Sequence, residues 1–303
     1  MTGRVVCVGD LMVDVVAHLP GPLAVGSDTP AEIVLRGGGS AANTAAWLAH
    51  RGERVTFVGC VGNDELGRKA VIELGREGVD TSVDFDPELP TGTCIVLVDP
   101  TGERTMVPSR GANGGLGPGF MHRDLIAPGD WVHLSAYTML NEDSREMGVS
   151  TIGWSGYRQV PVSVDASSAA PLAAVGRRQF SEWCTKGLGV AILFANLDEA
   201  AVLSGFSDPK QAVTRLARGY AAEAVVKLGA DGAIWSDGRR TVKVAARKAA
   251  VVDTTGAGDA FAAGYLAAHR TGAAPKECLT SGVILAAKAL GVVGGRPPAP
   301  IRD

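Results

Sequence analysis

The stretch Asp253-Thr254-Thr255-Gly256-Ala257-Gly258-Asp259 runs without a break into Ala260-Phe261-Ala262-Ala263-Gly264-Tyr265-Leu266. A run of small residues followed by an alanine-rich apolar segment reads as a tight turn that opens a helix. With almost no side chain at 256 to 258, successive backbone N–H groups can converge at the helix start, where unpaired amides and the helix dipole favour an anion. Asp259 then falls in the first turn, beside whatever is bound. A carboxylate placed there is suited to take the proton from a hydroxyl as its oxygen attacks phosphorus. On this stretch alone, an ordinary tight turn with an acidic cap is an equally open reading.

Outward from this turn, short β-branched runs alternate with longer Ala- and Leu-rich segments, the rhythm of β-α-β units. Strands are expected at 4–8, 54–58, 131–134, 160–164, 190–194 and 224–228, and helices at 41–50, 65–77, 197–203, 210–221, 260–269 and 276–290. Several of the strands are apolar at every position, as expected where helices cover both faces of a mostly parallel sheet. The fold class is therefore α/β, a three-layer doubly wound sheet. One region breaks the rhythm: Thr93-Cys94-Ile95-Val96-Leu97-Val98, the turn formers Asp99-Pro100-Thr101-Gly102, and Arg104-Thr105-Met106-Val107 read as a β-hairpin. With extended material near 13–17 and 32–35 it can build a small β-sheet lid, its strands drawn from about 13–35 and 92–108. Two ordinary strands of the central sheet are the alternative. No repeat, linker or domain boundary interrupts residues 1–303, so a single domain with an appended lid is expected.

Composition narrows the function. The chain has 303 residues, 29 Lys plus Arg against 32 Asp plus Glu, a net charge of −3 and a pI near 6.0. Without a basic run, neither nucleic acid nor an anionic membrane surface is the expected partner, and a small molecule fits better. Cys7, Cys60, Cys94, Cys184 and Cys278 are scattered and odd in number, which fits reduced thiols in a cytosol. The start Met1-Thr2-Gly3-Arg4 runs at once into Val5-Val6-Cys7-Val8-Gly9-Asp10, too short for a signal peptide or a membrane span, so a soluble cytoplasmic protein is expected. The five histidines show no metal-ligand spacing.

A second glycine-rich segment, Gly37-Gly38-Gly39-Ser40-Ala41-Ala42-Asn43, precedes Thr44-Ala45-Ala46-Trp47-Leu48. It permits close backbone approach to a ligand, and Asn43 would offer an amide that both donates and accepts. A turn that merely packs tightly against an Ala-rich helix is the other reading. Asp14 is a lone carboxylate in an apolar run and needs a partner, such as a vicinal diol, or else a place facing water. Asn196-Leu197-Asp198-Glu199 follows an expected strand, where ligands bind in open α/β sheets, although Asn196 and Glu199 also fit a plain capping box. Lys227-Leu228-Gly229-Ala230-Asp231-Gly232 follows another strand and offers glycines and a cation to phosphates, unless Lys227 only snorkels. No Gly-x-x-x-x-Gly-Lys-Ser/Thr loop occurs, nor Gly-x-Gly-x-x-Gly after the first strand, which disfavours a P-loop enzyme and an ordinary dinucleotide binder.

In order and spacing these segments resemble one family, the ribokinase-like (PfkB) carbohydrate kinases. The resemblance runs from Gly9-Asp10 and Asp14 through Gly38–Asn43, Gly111-Ala112-Asn113, Asn196-x-x-Glu199 and Gly229 to Asp253–Asp259. It implies an ATP- and Mg²⁺-dependent kinase acting on a hydroxyl, primary by expectation, of a sugar or sugar-like molecule. By the resemblance Asp259 is the catalytic base, and the backbone of Gly256, Ala257 and Gly258 is the anion hole. Asp14, Gly38, Gly39 and Asn43 hold the substrate. Asn196, Lys227, Gly229 and Gly232 serve the nucleotide. Glu199 helps place Mg²⁺ through water, and Asp253 and Thr255 mark a monovalent cation site for K⁺. Homodimerisation through the lid is also implied only by the resemblance. Ribokinases proper have Lys where Ser40 stands and Asn where Met12 stands, and the subgroup commonly has Thr where Lys227 stands. Ribose is therefore not singled out from fructose, other furanoses and hexoses, 2-dehydro-3-deoxygluconate or nucleosides. A nucleoside kinase, a vitamin-type kinase and a catalytically silent sugar- or nucleotide-binding regulator are the rival readings.

Overall fold

Strand β1 (Val5–Val8) is buried along its whole length, and its side chains divide between two cores: Val5 and Cys7 belong to one, Val6 and Val8 to the other. That division is the three-layer architecture in miniature, since only a strand covered on both faces can afford four apolar residues in succession. The computed structural model describes residues 3–101, 104–117 and 125–298. Its further strands are β2 (Met12–His18), β3 (Glu32–Gly38), β4 (Val55–Gly62), β5 (Asp80–Asp86), β6 (Thr93–Val98), β7 (Arg104–Ser109), β8 (Trp131–Ser135), β9 (Val162–Asp165), β10 (Val190–Asn196), β11 (Ala221–Lys227), β12 (Ala233–Ser236) and β13 (Thr241–Val244). The helices are α1 (Ser40–His50), α2 (Glu65–Arg76), α3 (Tyr137–Leu140), α4 (Arg145–Tyr157), α5 (Ala169–Val175), α6 (Arg177–Cys184), α7 (Leu197–Ser204), α8 (Pro209–Gly219), α9 (Ala257–Arg270) and α10 (Pro275–Ala289).

Nine strands form the large sheet in the order β13-β12-β11-β10-β9-β8-β1-β4-β5, parallel from β11 to β5, with β12 and β13 antiparallel at one edge. One face is covered by α1, α2, α9 and α10 through Trp47, Leu74, Phe261, Tyr265 and Leu279; the other is covered by α4, α6, α7 and α8 through Met147, Phe180, Leu203 and Leu216. Burying Trp47 or Phe194 completely contributes on the order of 2–3 kcal/mol each.

The second sheet has four strands in the order β3-β2-β6-β7, with β2 and β6 parallel and the outer pairs antiparallel. The hairpin reading of 93–107 thus holds, and the two strands lie outside the large sheet. Asp99 shapes the turn by accepting from the Thr101 amide at 2.8 Å and its hydroxyl at 2.7 Å; Gly102 lies outside the described residues. Alternation divides this sheet into an inner face, with Met12, Asp14, Cys94, Met106 and Pro108 on the cavity below, and an outer face with Ile33, Leu35, Ile95 and Val107 exposed. Asn113 joins the two sheets: its amide pairs with the backbone of Leu11 in both directions, at 2.9 and 3.2 Å.

Candidate active site

Parallel strands deliver their carboxyl ends to one edge of the sheet, and the polar residues of this chain collect there. Asp10 follows β1, Asp165 ends β9, Asn196 ends β10 and Lys227 ends β11, all lining one cavity of about 760 Å³ beneath the small sheet. Such a crevice is where open α/β sheets bind ligands.

Helix α9 starts at the turn from which the sequence reading began. Gly256, its N-cap, has φ 70°, and a methyl group there would overlap the Gly295 carbonyl oxygen, so the position is closed to other residues on both counts. Asp259 sits in the first turn of α9 and is fixed from α1: Ser40 Oγ donates to one carboxylate oxygen at 2.8 Å and Asn43 Nδ2 to the other at 2.9 Å. Burial, reinforced by the negative charge of Asp165, pushes the Asp259 carboxyl up to about 6, against the pull of those two hydrogen bonds and of Lys227. The group is thus ionised at neutral pH yet basic enough to accept a proton. Among the N–H groups of the turn, that of Ala257 leans back to the Thr254 carbonyl at 3.4 Å.

Lys227 reaches under the same turn. Its ammonium is 2.7 Å from Asp165 Oδ2, and a methyl at Gly258 would come within 3.1 Å of it, so glycine keeps that approach open. Burial disfavours the charge on Lys227, but Asp165, Glu199 and Asp259 together hold its pKa above the ordinary value. Asn196 and Glu199 do form a capping box: Glu199 accepts from the Asn196 amide at 2.8 Å and Asn196 Oδ1 accepts from the Glu199 amide at 2.9 Å. The two readings of this pair are compatible, because buried Glu199 also lines the cavity, its pKa raised by burial and by Asp165.

Asp14 and Gly38 meet across the first two strands of the small sheet. Gly38 leaves room for the Asp14 carboxylate, which a methyl would overlap. Asp14 is 5% exposed and lines the cavity, and burial raises its pKa to about 6 despite the nearby Arg296. Gly39, with φ 96°, turns the chain into α1 and brings Asn43 inward. Asp253, six positions before Asp259, accepts from the Thr255 amide and hydroxyl at 2.8 and 2.6 Å and from the Gly294 amide at 2.8 Å. Arg104 of β7 donates to Asp253 at 3.3 Å and also bonds the hydroxyls of Thr254 and Thr255.

Gly229 and Gly232 lie on a separate groove of about 540 Å³, whose apolar wall includes Phe261, Val283, Ala286 and Leu290. Lys227 and Gly258 line both this groove and the larger cavity, so the two spaces meet at the turn before Asp259. A model of the pfkB family carbohydrate kinases matches residues 2–302. The chain belongs to that family. It is 31% identical over 306 residues to the 2-dehydro-3-deoxygluconokinase of Thermoproteus tenax, covering 97% of this chain and 90% of that protein. The adenosine kinase of Sinorhizobium meliloti has a similar structure, with a TM-score of 0.88 at 28% identity over 98% of this chain and 96% of that one. The fructokinase of Vibrio cholerae O395, solved with fructose, ADP and calcium ion, has a TM-score of 0.81 at 25% identity over 98% and 96%. The fold is accordingly the ribokinase-like one.

All fifteen residues singled out from the sequence of this pfkB kinase fall on the cavity, on the groove or on the turn between them, save Gly38 and Asp253, which support Asp14 and Thr255 from just behind. Several others were not foreseen. Asp165 ends a strand like Asn196 does, and the same strand-end rule would have found it. Ser40 lies inside the glycine-rich segment that ends at Asn43, but its bond to Asp259 spans 219 positions. Arg110, the residue after β7, pairs with Asp10 at 2.6 Å and lies over the Tyr137 ring at 5.2 Å. Arg296, buried near the end of the chain, donates to the Gly38 carbonyl at 3.0 Å and to Asn43 Oδ1 at 3.4 Å. Nothing local in Gly294-Gly295-Arg296-Pro297 announces that reach.

Proposed function

We propose that this protein transfers the γ-phosphoryl group of ATP to a primary hydroxyl of a sugar or sugar-like molecule, the whole chain working as one kinase unit with the four-stranded sheet as its lid. The observation that carries this reading is the meeting of two spaces at one turn. An apolar groove suited to a nucleotide base and a polar cavity suited to a polyol share Gly258 and Lys227, with Asp259 on the polyol side. The acceptor hydroxyl gives its proton to Asp259 as its oxygen forms the new bond to phosphorus, and the bond from phosphorus to the ADP oxygen breaks. N–H groups at the start of α9 and the Lys227 ammonium face the charge on the moving group. Asp14 and Asn43 orient the acceptor, and the lid keeps water from competing with it.

Among the described residues, no three His, Cys, Asp or Glu side chains form a ready metal site. Glu199, with Asn196, is the proposed water-mediated holder of Mg²⁺ arriving with the nucleotide, in keeping with an ion that retains waters and leans on phosphates. When bound, Mg²⁺ neutralises phosphate charge. Asp253 and Thr255, the residues expected to serve a monovalent cation, are both bonded by Arg104.

The similarity to an adenosine kinase keeps a nucleoside acceptor as the second reading. Both are tested by ADP release from Mg²⁺-ATP across pentoses, hexoses, keto-deoxy acids and nucleosides. One acceptor class turned over supports the kinase reading and fixes its branch; bound ATP with no acceptor turned over speaks against it. A cytoplasmic setting is supported by five buried, unpaired thiols, and no described helix is long and apolar enough to cross a membrane. Homodimerisation through the outer face of the lid is supported by exposed Ile33, Leu35, Ile95 and Val107. Ile95→Lys with Val107→Lys is expected to halve the mass seen by light scattering, and a wild type that is already monomeric contradicts it.

A further inference from the structure

The loop that precedes the catalytic turn already holds a cation, and that cation is part of the chain. Arg104 stands on the inner face of the lid, in register with Val98 of β6 and two positions from Met106. Its guanidinium bonds Asp253 Oδ1 and the hydroxyls of Thr254 and Thr255, three consecutive residues that lead directly into Gly256. Asp253 is 6% exposed and Arg104 19% exposed in this pair. Asp253 Oδ1 also accepts from the Thr255 amide and hydroxyl, and Oδ2 accepts from the Gly294 amide. The side-chain oxygens Asp253 Oδ1 and Thr255 Oγ1, which a monovalent cation bound at these residues would use, therefore face a group that is permanently positive and presents its donors in a rigid fork. A second positive charge within a few ångströms of it is repelled rather than attracted. The residues present do not fit a monovalent ion at Asp253 and Thr255 while the lid is seated.

We propose that Arg104 is the built-in cation of the catalytic loop, supplied by the lid, so that phosphoryl transfer by this chain does not depend on a monovalent ion. The Asp253–Thr255 segment sets where Gly256 turns and hence where the N–H groups of α9 aim. A guanidinium bonded across three residues holds that segment as a coordinated ion would, and it does so only when β7 lies over the cavity. Seating of the lid and ordering of the anion-binding turn thus become one event. This rests on the kinase reading for its rate consequences, but not for its consequences for cation binding by the protein alone.

The test has two arms, run on the full chain in potassium, sodium and choline chloride at one ionic strength. In the first, the melting temperature of the ligand-free protein is measured. Wild type is expected to melt at the same temperature in all three salts, whereas Arg104→Ala is expected to melt higher in potassium than in choline, because the vacated oxygens then accept the ion. In the second, ADP release with the best acceptor is followed. Wild-type rates are expected to agree within about twofold across the salts, and Arg104→Ala to fall by about tenfold or more in choline and to recover part of that in potassium. A wild type that is raised in melting temperature or stimulated severalfold by potassium overturns the proposal, even if Arg104→Ala fails to fold. So does an Arg104→Ala protein as fast and as salt-indifferent as wild type. Inactivity of wild type in every salt, with the expected melting pattern, removes the kinase reading while leaving the cation assignment standing.

Discussion

Replacing Ser40 by Ala removes one of two hydrogen bonds that favour the charged form of Asp259, and the consequence can be worked out from the geometry. Ser40 Oγ donates at 2.8 Å to Oδ1 while Asn43 keeps Oδ2. Because the donated bond is stronger to the carboxylate than to the acid, losing it raises the pKa of the base. A hydrogen bond to a charged group is worth about 1.5–3 kcal/mol when buried; this one is only part-buried, so we take the lower end, or about one pH unit. The acidic limb of kcat/KM, which reports the free enzyme, then moves from about 6 toward about 7. At pH 5.5 the ionised fraction of Asp259 falls from about a quarter to about 3%, a loss of about eightfold, while above pH 8 the two proteins differ little. The α1 N-cap is Gly39 and uses no side chain, so the helix itself does not suffer. The assay is initial ADP release at subsaturating acceptor from pH 5 to 9. A limb that stays where it was, or a loss of the same size at every pH, would refute the reasoning that Ser40 acts by tuning Asp259.

Two further substitutions probe the scaffold. Gly256→Ala places a methyl against the Gly295 carbonyl oxygen at a residue with φ 70°, and a loss of about 1–3 kcal/mol in urea unfolding is expected together with impaired turnover; wild-type stability and rate would mean that the turn is softer than its geometry implies. His133 is fully buried, with Ser163 Oγ 3.0 Å from Nδ1 and no partner for Nε2, and burial pushes its pKa down to about 4. The unfolded chain protonates this side chain first, so stability is expected to drain away as pH falls from about 6.5 to about 4, by up to about 3 kcal/mol. The raised pKa values of Asp14 and Asp259 act in the opposite sense, so the quantity to measure is the difference between wild type and His133→Gln in urea midpoint against pH. Parallel curves would contradict the assignment.

The parts of this molecule that could be seen in its sequence share a physical cause. Strands β1, β4, β8, β9, β10 and β11 were legible because parallel strands covered on both faces must be apolar throughout. Helices α1, α2, α7, α8, α9 and α10 carried caps or alanine-rich faces. The helix expected to 221 ends at Gly219 instead, and β11 starts at Ala221, three residues before the expected start at 224; a glycine end followed by a strand needs no loop. Helices α3 to α6 were missed: α4, Arg145–Tyr157, holds three glycines and reads poorly as a helix until Met147, Thr151 and Ile152 are seen packed beneath the sheet. Edge strands β5 and β13 are half-exposed, and β12 between β13 and β11 is only four residues long, so all three carry a weaker pattern. At the site, turns and strand ends were visible because chemistry and chain reversal concentrate in the same few residues. Side chains that arrive from far away were not. Arg104 comes from the lid, and Arg296 from the tail reaches Asn43 across 253 positions. Long-range contacts leave no local period to read.

Asp259 is assigned as the base of the phosphoryl transfer. The measurement that tests it most directly compares wild type with Asp259→Asn, using the best acceptor and ATP binding measured in parallel by titration. Asparagine keeps the shape and can still pair with Ser40 and Asn43, but it cannot take the proton. Turnover is expected to fall on the order of 10²-fold or more with ATP binding retained. Near wild-type turnover in a variant that binds ATP normally would rule out Asp259 as the base.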